Sequence, residues 1–227
     1  MTRYLKSILM LKSTIVLMLL SVFSISLSVV RTVFTGKPFF LFMIWNLFLA
    51  FIPWFLASII HILKIKNRVV LILIVFIWIV FFPNAPYVLT DLIHLGKEKS
   101  VPLWYDLILL LSYGFTGLLY GFVGLVMLEM KLRENYRKLI CNIVTSLMIY
   151  LSCFGIYIGR FLRWNSWDIV MNVEEVVADV YKRIANPLEH QATWVFTMLF
   201  GTLLNLVYYG FKSMNEKSLA TPSVSNK

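Results

Sequence analysis

Residues 81–95 read FFPNAPYVLTDLIHL: two prolines, an asparagine, a tyrosine, an aspartate and a histidine set against the end of the apolar run Val69–Phe82. An ionisable side chain at bilayer depth costs about 2.5–3.5 kcal/mol on insertion scales, so it faces water or a protein interior and marks a functional site. Around this stretch, 60% of the 227 residues are hydrophobic and only 14% are charged. Soluble domains of this length do not have that composition. Crossing about 30 Å of hydrocarbon takes about 20 apolar residues, and the sequence supplies six such runs, near 13–33, 39–62, 68–83, 104–128, 139–159 and 192–211.

The expected fold is therefore all-α. It is a polytopic membrane bundle of about six transmembrane helices in a single domain, 1–214, followed by a short disordered cytoplasmic tail, 215–227. The third run is the shortest. Its continuation past Pro86 adds depth on the far side, and tilt or bilayer thinning absorbs the remaining mismatch. The first run follows Arg3, Lys6 and Lys12 as a signal peptide would, but Ser24–Val33 offers no small-residue cleavage site. An uncleaved signal anchor is expected.

Charge sets the orientation, because retained loops carry the excess of Lys and Arg. With six spans both termini share a side, and that side holds 13 basic and 3 acidic residues, against 8 and 8 on the other. The whole formal charge of +10 thus sits on the face expected to be cytoplasmic, where anionic lipid headgroups attract it. Membrane lipid is the expected partner. No groove of interleaved aromatic and basic residues points to nucleic acid.

On the opposite face three polar clusters emerge. In the first, Pro83 is expected to break the third span and Pro86 to open a short helix over 86–95 that stops at Gly96. At about 100° per residue, Tyr87, Thr90, Asp91 and His94 fall on one side of it, with Val88, Leu89, Leu92 and Ile93 opposite. An ordinary interfacial helix has such a wet face. The Asp91–His94 spacing of three also suits a general base with its orienting carboxylate, the catalytic assignment made here, or two ligands of a metal. The second cluster is Trp104-Tyr105-Asp106 at the start of the fourth span.

The third cluster, GRFLRWNSWD over 159–168, joins two guanidinium groups to two indoles. If the helix continues through it, Arg160, Arg163, Trp164 and Trp167 share one face. Arg forks onto phosphate, while Trp and Arg also anchor span ends in general. Beyond it, Asn172 and Glu175 have capping-box spacing, and Val173, Val176, Val177, Val180, Tyr181 and Ile184 trace a helical stripe. An outer interfacial helix over 173–185 is expected, ending at Asn186-Pro187, with Glu174, Asp179, Lys182 and Arg183 on its polar face.

Other features read as architecture. Gly114, Gly117, Gly121 and Gly124 form a small-residue face for close helix contact, Pro53 kinks the second span, and Cys141 and Cys153 lie too far apart along one helix for a disulfide. No internal repeat, phosphate loop, zinc pattern or nucleophile elbow is present, and no cofactor is implied.

The combination FPNAPYVLTDLIHL, WYD and GRFLRWNSWD resembles the signature of a bacterial integral-membrane family known only as domain of unknown function 1361, from about the second span to the sixth. The resemblance implies a multi-pass protein of a bacterial cell (inner) membrane. It brings no activity, cofactor or catalytic residue.

The residues themselves favour a site at the outer leaflet that binds or processes an anionic, phosphate-bearing or lipid-linked envelope component. Asp91 and His94 would act as base or metal ligands, Arg160 and Arg163 would hold the anion, and Asn84, Tyr87, Thr90, Asp106, Asn165, Trp167 and Asp168 would orient it. A permease or channel lined by Asn46, Asn142 and Asn205, or an assembly role with a purely structural polar network, are the alternatives. The sequence does not fix an oligomeric state.

Overall fold

The computed structural model describes residues 3–63, 65, 67–164 and 171–220, with side chains from 12 to 214 within those limits. Every regular element among them is helical. In order they are α1 (Arg3–Thr35), α2 (Phe42–Leu63), α3 (Arg68–Phe81), α4 (Asn84–Tyr87), a 3-10 helix (Val88–His94), α5 (Leu103–Leu132), α6 (Lys138–Phe161), α7 (Val173–Ala185) and α8 (Gln191–Ala220). Six stretches are long and apolar enough to cross a membrane: Lys12–Thr35, Phe42–Leu63, Arg68–His94, Leu103–Leu132, Lys138–Phe161 and Gln191–Met214. Large apolar side chains such as Val22, Val33, Ile72, Leu147 and Leu199 lie exposed along them. In lipid that is the low-energy arrangement, since hydrocarbon solvates Leu as well as a core does. Residues 221–227, the end of the expected tail, lie outside the described residues.

The chain divides into two compact units, 1–131 and 132–227. In the first, α1 and α5 run antiparallel and are joined by a seam of polar side chains. Ser21 Oγ lies 2.8 Å from the Tyr120 hydroxyl, Ser24 Oγ lies 3.4 Å from Thr116 Oγ1, and Ser28 Oγ donates to the Tyr113 hydroxyl at 3.0 Å. The seam ends where Arg31, just before the last turn of α1, meets Asp106 in the first turn of α5. Steps of three and four residues put Ser21, Ser24, Ser28 and Arg31 on one stripe of α1. Between membrane helices such hydrogen bonds contribute about 0.6 kcal/mol each, so a row of them specifies the register.

The glycines of α5 do what their spacing predicts, and the partner is specific. A Cβ on Gly117 would sit 2.8 Å from the Ala85 carbonyl oxygen, one on Gly121 2.8 Å from Ala85 Cβ, and one on Gly114 2.9 Å from Leu89 Cδ2. Gly124 lies the same way against the backbone of Pro53 and Trp54 in α2. The proline-rich stretch is thus laid directly on the α5 backbone. Helix α2 runs on through Pro53, which is buried inside it.

Two expectations about that stretch need correction. The α-helix ends at Phe81, but the break is only the turn at 82–83, and the short helix restarts at Asn84 instead of Pro86. Phe82, Pro83, Tyr87 and Val88 all hold right-handed helical angles, and the helical path continues from Arg68 to His94. Each proline removes one backbone donor, and the chain responds by tightening its bonding, as in Ala85 N to Phe82 O at 3.1 Å. The second correction concerns faces. A 3-10 helix turns about 120° per residue, so residues three apart eclipse. Asp91 joins Val88 and His94 in one row, while Tyr87 and Thr90 join Ile93. Val88 and Asp91 are both completely buried, and Ile93 is 52% exposed. The expected division into a polar and an apolar side is absent.

In the second unit α6 and α8 pack along each other. Tyr150 lies over Gly201, with its ring where a Cβ would stand, and its hydroxyl meets Thr202 Oγ1 at 3.0 Å. Cys141 and Cys153 are free and buried. Helix α7 spans Val173–Ala185 as expected, capped by Asn186 at its end; Asn172 stands at its start without a side-chain capping bond.

Candidate functional site

Asp91 anchors the polar centre of the first unit. Its side chain is fully buried, and Asn46, one turn into α2, donates from Nδ2 to Oδ2 at 2.9 Å. The other oxygen, Oδ1, lies 3.8 Å from His94 Nε2. The 3-10 winding produces this pairing by stacking residue 94 over residue 91. The imidazole is 24% exposed and packs edge-on against Phe42 at 5.5 Å. Its second nitrogen, Nδ1, lies 3.1 Å from Lys97 Nζ. An ammonium only donates, so the neutral ring is assigned with its hydrogen on Nε2, facing Asp91. The result is a line of polar groups running from half-buried Asn46 through Asp91 and His94 to Lys97 at the surface.

The remaining candidates of the first unit are placed as follows. Asn84 donates to the Phe81 carbonyl at 3.0 Å and Thr90 to the Tyr87 carbonyl at 2.6 Å, while Tyr87 is half-buried. Asp106 is gripped side-on by Arg31, Nε to Oδ1 at 2.7 Å and Nη2 to Oδ2 at 3.2 Å, with both side chains about 1–2% exposed. Phe40 covers the guanidinium, its centroid 4.8 Å from Cζ. Arg31 is the residue that sequence reasoning missed here. The stripe Ser21, Ser24, Ser28, Arg31 is the signal that could have found it. Outside the spans, hydrogen bonds from Ser100 and then Lys37 hold the Glu98 carboxyl below its usual range, and Lys37 and Glu98 tie the α1–α2 connection to the turn before α5.

Arg160 and Arg163 belong to the second unit. Helix α6 ends at Phe161 rather than running on, and Arg163 takes a left-handed backbone conformation, φ +65°. Arg160, Arg163 and Trp164 therefore do not lie along one continued helix. Arg160 is half-buried in the last helical turn and Arg163 is exposed beyond it. Asn165, Trp167 and Asp168 lie outside the described residues. Trp164 turns to α7, its indole N–H donating to Asp179 Oδ2 at 2.9 Å. That bond, with Arg183 beside it, holds the Asp179 carboxyl below its usual range.

The three intramembrane asparagines considered for a transport path are all engaged. Asn46 holds Asp91, Asn142 Oδ1 accepts from Lys212 Nζ at 3.1 Å, and Asn205 Nδ2 donates to the Gly201 carbonyl at 2.8 Å. Among the described residues no three His, Cys, Asp or Glu side chains converge as metal ligands would.

Six apolar helices that carry a buried carboxylate and an imidazole at the end of one of them define a polytopic helical membrane protein. No curated protein and no solved structure matches the chain. The chain belongs to the family described as protein of unknown function (DUF1361), whose profile matches residues 45–207.

Proposed function

We propose that this is a multi-pass protein of a bacterial cell membrane, with both termini cytoplasmic, that binds and processes an anionic or lipid-linked envelope component at the outer leaflet. One observation carries the proposal: a carboxylate buried at the end of a membrane span, fixed by Asn46, stands behind an imidazole that is one-quarter exposed. Burying an acid there without use is costly. As a base His94 accepts a proton at Nδ1 once Lys97 moves off that nitrogen, and Asp91 then faces the resulting imidazolium and offsets its charge. Arg160 and Arg163 supply the cations for a phosphate.

The test is mass spectrometry of detergent-purified protein, read for bound lipid, metal and protein together. Wild type should retain an anionic species, and Arg160→Gln with Arg163→Gln should lose it. Asp91→Asn should keep it, and should accumulate it above the wild-type level if the species is a substrate. If no anionic species copurifies, or if Asp91→Asn simply fails to fold, the proposal falls.

A second reading has its own support in the pair Arg31–Asp106, both residues buried and joined by two hydrogen bonds. There the polar groups lock the bundle and the protein acts as an assembly factor. Under it the same variants lose a copurifying protein rather than a lipid.

A further inference from the structure

Helix α7 has three faces instead of two. At about 100° per residue, Val176, Asp179 and Arg183 point one way, and these are its buried or hydrogen-bonded positions. About a third of a turn round lie Val173, Val177, Tyr181 and Ile184, which are 49%, 59%, 70% and 58% exposed. Further round come Glu175, Ala178 and Lys182, all exposed. The first face is held to its own unit by a clasp. Trp164 and Arg183 both bond Asp179, and Trp194 Nε1 donates to the Arg183 carbonyl at 3.0 Å.

Trp194 stands in the first turn of α8, a membrane span, so its bond fixes the end of α7 at the depth where that span begins. Residues 186–190 connect the two helices, and five residues reach at most about 18 Å. An apolar stripe held at that depth, beside spans whose own outer faces are apolar, adjoins the bilayer.

From this geometry we infer that the stripe of α7 is a membrane-contact surface, seated in the boundary between headgroups and acyl chains with Glu175 and Lys182 in water. Glu174, Glu175 and Asp179 against Lys182 and Arg183 leave the helix slightly acidic. Its seating therefore rests on apolar contact and needs no anionic lipid, unlike basic surface helices.

Full-length protein in phosphatidylcholine vesicles, carrying single nitroxide labels at Val177, Tyr181, Ile184, Glu175 or Lys182, tests this. The ratio of oxygen to nickel-chelate collisions should be at least threefold higher for the three stripe labels than for the two polar ones. It should not change when phosphatidylglycerol is added or salt is raised. Stripe labels as open to the chelate as the polar ones would overturn the inference, as would labels shielded from both reagents, which indicate a protein partner. So would contrast that appears only with anionic lipid. Because three stripe positions are read, one that disturbs folding leaves the pattern measurable on the others.

Discussion

Arg31 and Asp106 show most sharply how this protein treats charge at the membrane. A side-on guanidinium–carboxylate pair satisfies both oxygens, and Asp106 also lies in the first turn of α5, where the helix dipole favours an anion. Breaking such a pair on one side leaves a bare buried charge, which costs about 3–5 kcal/mol, while replacing both partners by apolar residues is close to neutral. Arg31→Met and Asp106→Leu should each cost that much in reversible unfolding in mixed micelles. The double variant should recover all but about 1–2 kcal/mol; two independent losses that simply add would show the pair to be unimportant. Asp106 stands out in the sequence because WYD is conspicuous, and from sequence alone it reads as a substrate contact. Its partner, 75 residues earlier, is not legible there, since a lone Arg near the end of an apolar run also serves as an ordinary flanking charge.

At the scale of elements, the six spans and α7 are readable because apolar run length and helical period survive any packing arrangement. The winding of 82–94 is not. Proline is read from sequence as a helix breaker, but here the α5 glycines bring a flat backbone against Ala85, Val88 and Leu89, and that contact holds the chain helical through both prolines. Gly117→Ala should test this, because its Cβ would meet the Ala85 carbonyl oxygen at 2.8 Å and Val88 at about 3.1 Å, with no flexible side-chain end to give way. A loss of about 1–3 kcal/mol is expected in the same unfolding assay. Gly210 in α8 has nothing within 4 Å of the place an added Cβ would take, so Gly210→Ala should gain about 1 kcal/mol from helix propensity alone. Equal effects at the two sites would refute the close-packing account.

For the whole molecule, the charge count and the six spans make a joint prediction about sidedness. Lys99 and Glu189 are exposed in connections on one side of the span order, and Lys138 is exposed at the start of α6 on the other. In intact cells an impermeant thiol reagent should label Lys99→Cys and Glu189→Cys, and Lys138→Cys only after lysis; native Cys141 and Cys153 are buried and leave little background. The reverse pattern would invert the protein and move the Asp91–His94 end to the cytoplasm. The helical class and the six spans are legible from composition, whereas the candidate site is legible only in part. Asp91 and His94 can be paired from their spacing, but Asn46 and Lys97, which complete the line, come from an adjacent helix and from a turn, and no periodicity links them. The family match begins at residue 45, downstream of all of α1. A truncated chain trimmed to the matched residues would therefore lose the counter-ion of Asp106 together with three hydroxyl rungs. The stretch that the family profile matches thus leaves out one whole side of the polar seam that joins α1 to α5.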